Sequence, residues 1–404
     1  MANVPVLLEQ SSLARLLRRT DAVVPPGELE SRLGERTPLR VKLGLDPTAP
    51  AVTLGWAVVL RKLRDFQEQG HTAVLIVGDF TARVGDPSLK SETRTRLTAE
   101  QVDAYAKQVL TQFEKVLLPE PLEVRYNSEW LGALDMSDVL ELTSTGTVAQ
   151  LLERGDFAKR FEAQTPISVM EFLYPFLQGY DSVAVEADVE LGGSDQLWNL
   201  MMGRVVQERY GQRAQVAMTL PLLLGTDGSN KMSQSLGNYI GVTEPAAEMY
   251  GKTMSIPDDT MANWFPLVTE LPEFEIDEIL SGLAKGTIHP RDAKRTLARR
   301  ITASYHGEEA ALSAEEQFDR VFRQKDQPDE IPEMVMPADD PINLASLLRK
   351  AGLVASAGEA RRLIAQGAIS SDGVAIESEW LPRANLEGRV LKVGKRRFLR
   401  LIGE

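Results

Sequence analysis

The chain has 404 residues, room for two or three domains, and its 43% hydrophobic and 25% charged content is that of an ordinary globular protein. With no cysteine and only three scattered histidines, His71, His289 and His306, it excludes disulfides, thiolate chemistry and a zinc site of the usual spacing. A formal charge of -13 argues against indiscriminate nucleic-acid binding, yet residues 341–404 alone carry +5 and leave -18 on the rest.

In chain order, residues 1–35 read as an N-terminal helical segment whose start, MANVPVLLEQ, lacks the features of a signal peptide. No run of eighteen apolar residues follows, so the expectation is a cytoplasmic protein without membrane contact. RVKLGL (40–45) is a short strand stopped by Pro47 and Pro50. From Thr53 to Gln69 the apolar residues Trp56, Val59, Leu60, Leu63 and Phe66 recur at helical spacing. HTAVLIVGDF (71–80) then begins a strand with an apolar run suited to burial on both faces, which completes a βαβ unit. VEADVELGGSDQLWNL (185–200) reads as strand, glycine turn and helix, and QVAMTLPLLL (215–224) as a further buried strand before the loop GTDGSNKMSQS (225–235).

These elements predict a Rossmann-like α/β domain with a parallel sheet over 36–235, interrupted by a helical insertion at about 95–175. Ligands of such sheets lie beyond the carboxyl ends of the strands, which brings 44–56, 78–90, 193–196 and 225–235 around one crevice. A helical domain follows over 236–325, then a Pro-rich acidic linker (326–340). Residues 341–404 make a small α+β module of two helices ending at glycines and a pair of strand-like segments.

The loops suggest chemistry. The turn GLDPT and the helix start behind it present backbone N–H groups that suit a phosphate, although Gly55 also suits close packing. Lys231, between glycines and serines, fits a clamp for an anionic leaving group; a surface lysine is the plainer reading. Tyr174, Gln178 and Asp181 fall at i, i+4 and i+7 on one face of an otherwise apolar helix. Such groups either meet a polar ligand or form an internal network.

LGLDPTAP, GHTAVLIVGDFTARVGDPS, VRYNSEW, TVAQLLER, LYPFLQGYDSVA, LGGSDQLWN and GSNKMSQSLGNYI, in this order and spacing, resemble the bacterial tyrosyl-tRNA synthetases, class I enzymes, along essentially the whole chain. The resemblance implies a tyrosine–tRNA ligase that uses ATP with Mg2+ and holds no metal of its own. Asp86, Tyr174 and Gln178 would take the ammonium of L-tyrosine, Asp181 its phenol, and Thr81 and Gln196 would line the same pocket. Gly44, Asp46, Thr48, Gly55 and Asp195 would lie on the nucleotide side, with Thr53, Trp56, Lys231, Ser233 and Gln234 at the triphosphate. Lys42 stands where the other bacterial branch has tyrosine, which leaves phenol recognition to Asp181. The C-terminal module resembles an RNA-binding domain shared with a ribosomal protein, so Arg349, Lys350, Arg361, Arg362, Lys395, Arg396 and Arg397 become candidates for tRNA phosphates. The insertion is where family members form a homodimer.

The resemblance also exposes departures. The family's His-apolar-Gly-His reads Thr53-Leu54-Gly55-Trp56, and Lys-Met-Ser-Lys-Ser reads Lys231-Met232-Ser233-Gln234-Ser235. Losing one transition-state donor costs roughly 10²–10³ in rate. The alternative is therefore a synthetase-like tyrosine- and RNA-binding protein with weak or lost adenylation, and an altered acceptor or substrate is a third reading. Thr53 also fits a simple helix cap, and Trp56 a core or adenine-stacking residue.

Overall fold

A computed structural model describes residues 12–35, 37–86, 97–320, 331–337, 339–394 and 397–403. The candidates Lys395 and Arg396, residues 87–90 of the crevice and residues 326–330 of the linker lie outside the described residues. The chain divides into two units, residues 1–308 and 309–404.

The first unit is organised by a six-stranded sheet in the order β1-β6-β5-β2-β3-β4. These are β1 (Ala22–Val24), β2 (Arg40–Leu45), β3 (Thr72–Val77), β4 (Leu122–Tyr126), β5 (Val189–Gly193) and β6 (Val216–Leu220). All pairings are parallel except β1 with β6. The apolar runs of β3 and β6 are buried along nearly their whole length, which is why they read as continuous hydrophobic stretches. The helix connecting β2 to β3, α1 (Leu54–Gln67), buries Leu54, Ala57, Val58, Leu60, Leu63 and Phe66. Helix α2 (Val169–Ala184) packs beside α3 (Leu197–Arg209), the helix that follows β5.

Four sequence expectations change. The segment over 1–35 is not wholly helical: after a helix at residues 12–17, Ala22-Val23-Val24 form β1 against Ala217–Thr219 of β6. Two β-branched residues before Pro25 carry a strand signal too short to show as a period. The insertion at 95–175 is not wholly helical either, since Leu122–Tyr126 joins β3 as the parallel edge strand. The helices expected to form a separate domain after residue 235 share one continuous core with the sheet. Trp264, Phe265, Leu297 and Ile301 belong to the same buried cluster as Leu54, Leu60 and Leu63. Finally, the linker expected over 326–340 contains a strand, β7 (Glu333–Val335), paired in parallel with the last strand of the C-terminal module.

That second unit closes a five-stranded sheet over two helices, Leu344–Lys350 and Ala357–Ala365, around Met336, Leu344, Leu348, Ile369, Leu391 and Leu399. Arg349, Lys350 and Arg362 are exposed. Arg361 is paired with Glu379 at 3.0 Å, and Arg397 donates to the Leu353 carbonyl and lies 3.4 Å from Glu359. Both side chains stay solvent-accessible, so a phosphate would compete with these acidic neighbours for them.

Candidate active site

Four chain segments that leave the carboxyl ends of β2, β3, β5 and β6 enclose a cavity of about 700 Å³ with α2. Gly44, Asp46, Thr48, Thr53, Gly55, Trp56, Thr81, Asp86, Tyr174, Gln178, Asp181, Asp195, Gln196, Lys231, Ser233 and Gln234 all line it. The crevice expected from strand order is thus realised, and every residue assigned to tyrosine or ATP borders one space.

One end of the cavity is a buried polar cluster on the inner face of α2. Asp181, 3% exposed, accepts from Trp130 Nε1 at 2.8 Å and Asn127 Nδ2 at 3.3 Å. Burial lifts its carboxyl to about 6, against the nearby Lys42 charge and those two donors, which favour the anion. Tyr174 donates its phenol to Asp46 at 3.0 Å, and Thr81 donates to the other Asp46 oxygen at 2.7 Å. Burial, with Asp86 and Asp181 nearby, pushes Asp46 up to about 7, and burial raises the Tyr174 phenol well above its ordinary value. A side chain at Gly78 is excluded here, because its Cβ would stand 2.0 Å from Asp46 Oδ1 and 2.4 Å from Thr81 Oγ1. Asp86 accepts from Gln196 Nε2 at 2.9 Å, with Arg154 3.5 Å away.

Behind this cluster lies a second layer. Lys42, fully buried, pairs with Glu190 at 2.9 Å and donates to the Gln178 carbonyl at 2.9 Å and Ser182 Oγ at 2.7 Å. Gln178 donates Nε2 to Glu190 at 3.1 Å, while its Oε1 is buried without a partner among the described residues.

The other end is built from the start of α1 and the 231–235 loop. Thr53 Oγ1 accepts from the Trp56 N–H at 3.3 Å, so this hydroxyl is a helix cap. Trp56 is half-buried against the core while lining the cavity. Gly55 meets the loop rather than a strand: its Cβ would touch Met232 at 3.4 Å. The Gln234 amide spans both backbone groups of Ala51, donating to its carbonyl and accepting from its N–H at 3.3 Å. Gln112 holds the same turn, donating to the Pro50 carbonyl at 2.7 Å and accepting from Val52 N–H at 2.8 Å. Lys231 is paired with Asp195 at 2.6 Å and Ser233 with Ser235 at 2.8 Å. An incoming phosphate would compete with Asp195 for Lys231.

Two of these residues already have protein partners. Asp46, expected beside the nucleotide, is bonded to Tyr174 and Thr81. Thr53, expected at the triphosphate, caps its own helix and still lines the cavity, with its O–H and a second lone pair not used by the cap. Sequence reasoning gave no role to Asn127, Trp130, Arg154 or Glu190. The first three lie in the quoted strings VRYNSEW and TVAQLLER, and Glu190 stands one residue before LGGSDQ. Among the described residues no three His, Asp or Glu side chains gather to hold a metal ion, and no helix is long and apolar enough to cross a membrane.

Residues 35–323 match the family described as tRNA synthetases class I (W and Y). The chain is 53% identical over 392 residues to the tyrosine–tRNA ligase of Moorella thermoacetica, covering 96% of this chain and 95% of that protein. It is 50% identical over 388 residues to the Thermotoga maritima tyrosine–tRNA ligase, with 96% of each covered. At that identity and coverage the chain belongs to the tyrosyl-tRNA ligase family of class I synthetases. The crystal structure of the Archaeoglobus fulgidus tyrosyl-tRNA synthetase complexed with L-tyrosine has the same fold, with a TM-score of 0.61 at 24% identity over 76% of this chain and 99% of that one.

Proposed function

We propose that the chain activates L-tyrosine with ATP and transfers it to tRNA(Tyr) in the cytoplasm. The observation that carries this is the buried polar face of α2, where Tyr174, Gln178 and Asp181 border one cavity and the Gln178 acceptor lacks a partner among the described residues. Such a face is costly to bury unless a ligand completes it. A phenol donates to Asp181, while an ammonium suits the Gln178 Oε1, Asp46 and Asp86 acceptors.

The tyrosine carboxylate attacks the α-phosphorus of ATP in line and pyrophosphate leaves. The terminal ribose hydroxyl of the tRNA then attacks the acyl carbonyl, and AMP leaves. No side-chain nucleophile takes part. Catalysis comes from positioning and from N–H, O–H and cationic groups that meet charge on the phosphate oxygens. Those groups are the α1 start, the Lys231 ammonium, the Ser233 hydroxyl and the Gln234 amide hydrogen not given to Ala51. Mg2+ arrives with the ATP and offsets triphosphate charge. Kinship with the tyrosine–tRNA ligases favours adenylation over its loss.

Met136, Leu140, Val148, Phe161 and Val169, all exposed, give the insertion an apolar surface for a homodimer. Arg349, Lys350, Arg361, Arg362 and Arg397 are the described candidates for tRNA phosphates, the third and fifth of them each beside a glutamate. The test is charging: purified chain, ATP, labelled L-tyrosine and tRNA yield acid-precipitable tyrosine. A folded protein that charges no tRNA contradicts the proposal.

A further inference from the structure

An amide side chain has two ends of similar shape and opposite polarity, so a glutamine that must accept from an ammonium has to be held one way round. Gln178 is such a residue, given the tyrosine reading above on which this inference rests. Its Nε2 faces a Glu190 oxygen at 3.1 Å. A carboxylate can only accept, so the reversed amide would set two oxygens against each other.

Glu190 is itself 1% exposed, and a lone buried carboxylate would be unstable there. Lys42 supplies the counter-charge. The two are register partners on adjacent parallel strands, and Lys42 directs its ammonium to Glu190, to Ser182 Oγ and to the backbone carbonyl of Gln178 itself. Ser182 and Gln215 donate to the second Glu190 oxygen. Two amide oxygens of this network lack a partner among the described residues, Gln215 Oε1 and Gln178 Oε1, and of these two side chains only Gln178 lines the cavity.

We infer that the Lys42–Glu190 pair is a positioning and specificity device: it locks the Gln178 amide so that its carbonyl oxygen faces the cavity, which selects ligands that carry an α-ammonium. Neither residue is required to touch the substrate. Glu190 fixes the amide, and Lys42 allows Glu190 to be buried as an anion.

The test compares two probes on the full chain by calorimetry, L-tyrosine and its des-amino analogue 3-(4-hydroxyphenyl)propionate. The readout is the ratio of their dissociation constants. In Glu190→Gln the new amide can donate or accept, so Gln178 can reverse and present its NH2 group. The preference for tyrosine then falls by roughly 10- to 100-fold, the value of a hydrogen bond to a charged group, while analogue binding changes little. A merely structural role would weaken both probes together. Exchanging the two residues, Gln178→Glu with Glu190→Gln, conserves charge and volume and leaves an acceptor facing the cavity in either orientation, so the preference returns. An unchanged ratio in folded Glu190→Gln, equal weakening of both probes, or failure of the exchanged pair to restore the ratio overturns the inference. Should Glu190→Gln not fold, the neutral pair Lys42→Met with Glu190→Gln, which leaves no buried charge unpaired, is read in the same way: a fallen preference supports the lock and an unchanged one refutes it. Wild-type protein that takes up neither probe refutes the amino-acid site and the lock with it.

Discussion

Asp181 and Asp46 sit within one cavity with carboxyls raised to about 6 and about 7, chiefly because they are buried. For both, the folded protein binds a proton more tightly than the unfolded chain does. Their contribution to stability is therefore full below the unfolded value near pH 4 and is lost as pH rises through about 6 to about 7. A ligand reverses the preference, because a phenol donor at Asp181 and an ammonium near Asp46 both favour the anions. Tyrosine binding should accordingly strengthen from about pH 5 to about pH 8 and release protons over that interval. Titrations at pH 6.5 in buffers of different ionisation enthalpy check this; a proton count of zero contradicts it. At this scale the sequence revealed the polar face of α2, since three residues of one helix share a period. It did not reveal Asn127 and Trp130 at Asp181, or Glu190 behind Gln178. Those partners come from separate segments, and no local spacing announces them.

Among the elements, α1 and the 231–235 loop line the end of the cavity proposed to take the nucleotide. The loop's departure from the family pattern, Gln234, has a physical role: its amide clasps Ala51 while Gln112 clasps Pro50 and Val52. A lysine could donate to the Ala51 carbonyl but could not accept from its N–H. Gln234→Ala removes up to two hydrogen bonds worth about 0.5–1.5 kcal/mol each. The expected result is a KM for ATP raised by roughly 5- to 150-fold, with the KM for tyrosine unchanged. Steady-state exchange kinetics measure both, and a change confined to tyrosine would contradict the clasp. Long amphipathic helices and the buried strands β3 and β6 were legible in sequence. The short strands β1, β4 and β7 were not, because three to five residues at or near a sheet edge carry little periodicity.

Across the whole molecule, composition distinguishes an acidic α/β part, a run of helices and a basic module, whereas the structure has two units divided within those helices, at residue 308. That no boundary falls near residue 236 was not legible, because Trp264, Phe265 and Ile301 complete the core of the sheet, and a shared core leaves no change in composition. If the cavity of the first unit holds tyrosine by its phenol at Asp181, tyrosine-dependent ATP–pyrophosphate exchange reports it. The full chain should exchange label in a saturable way with L-tyrosine. With L-phenylalanine, which leaves the buried Asp181 unpartnered by substrate, exchange should stay near background. Equal exchange with the two amino acids, or none with tyrosine at high concentrations of folded protein, would contradict it.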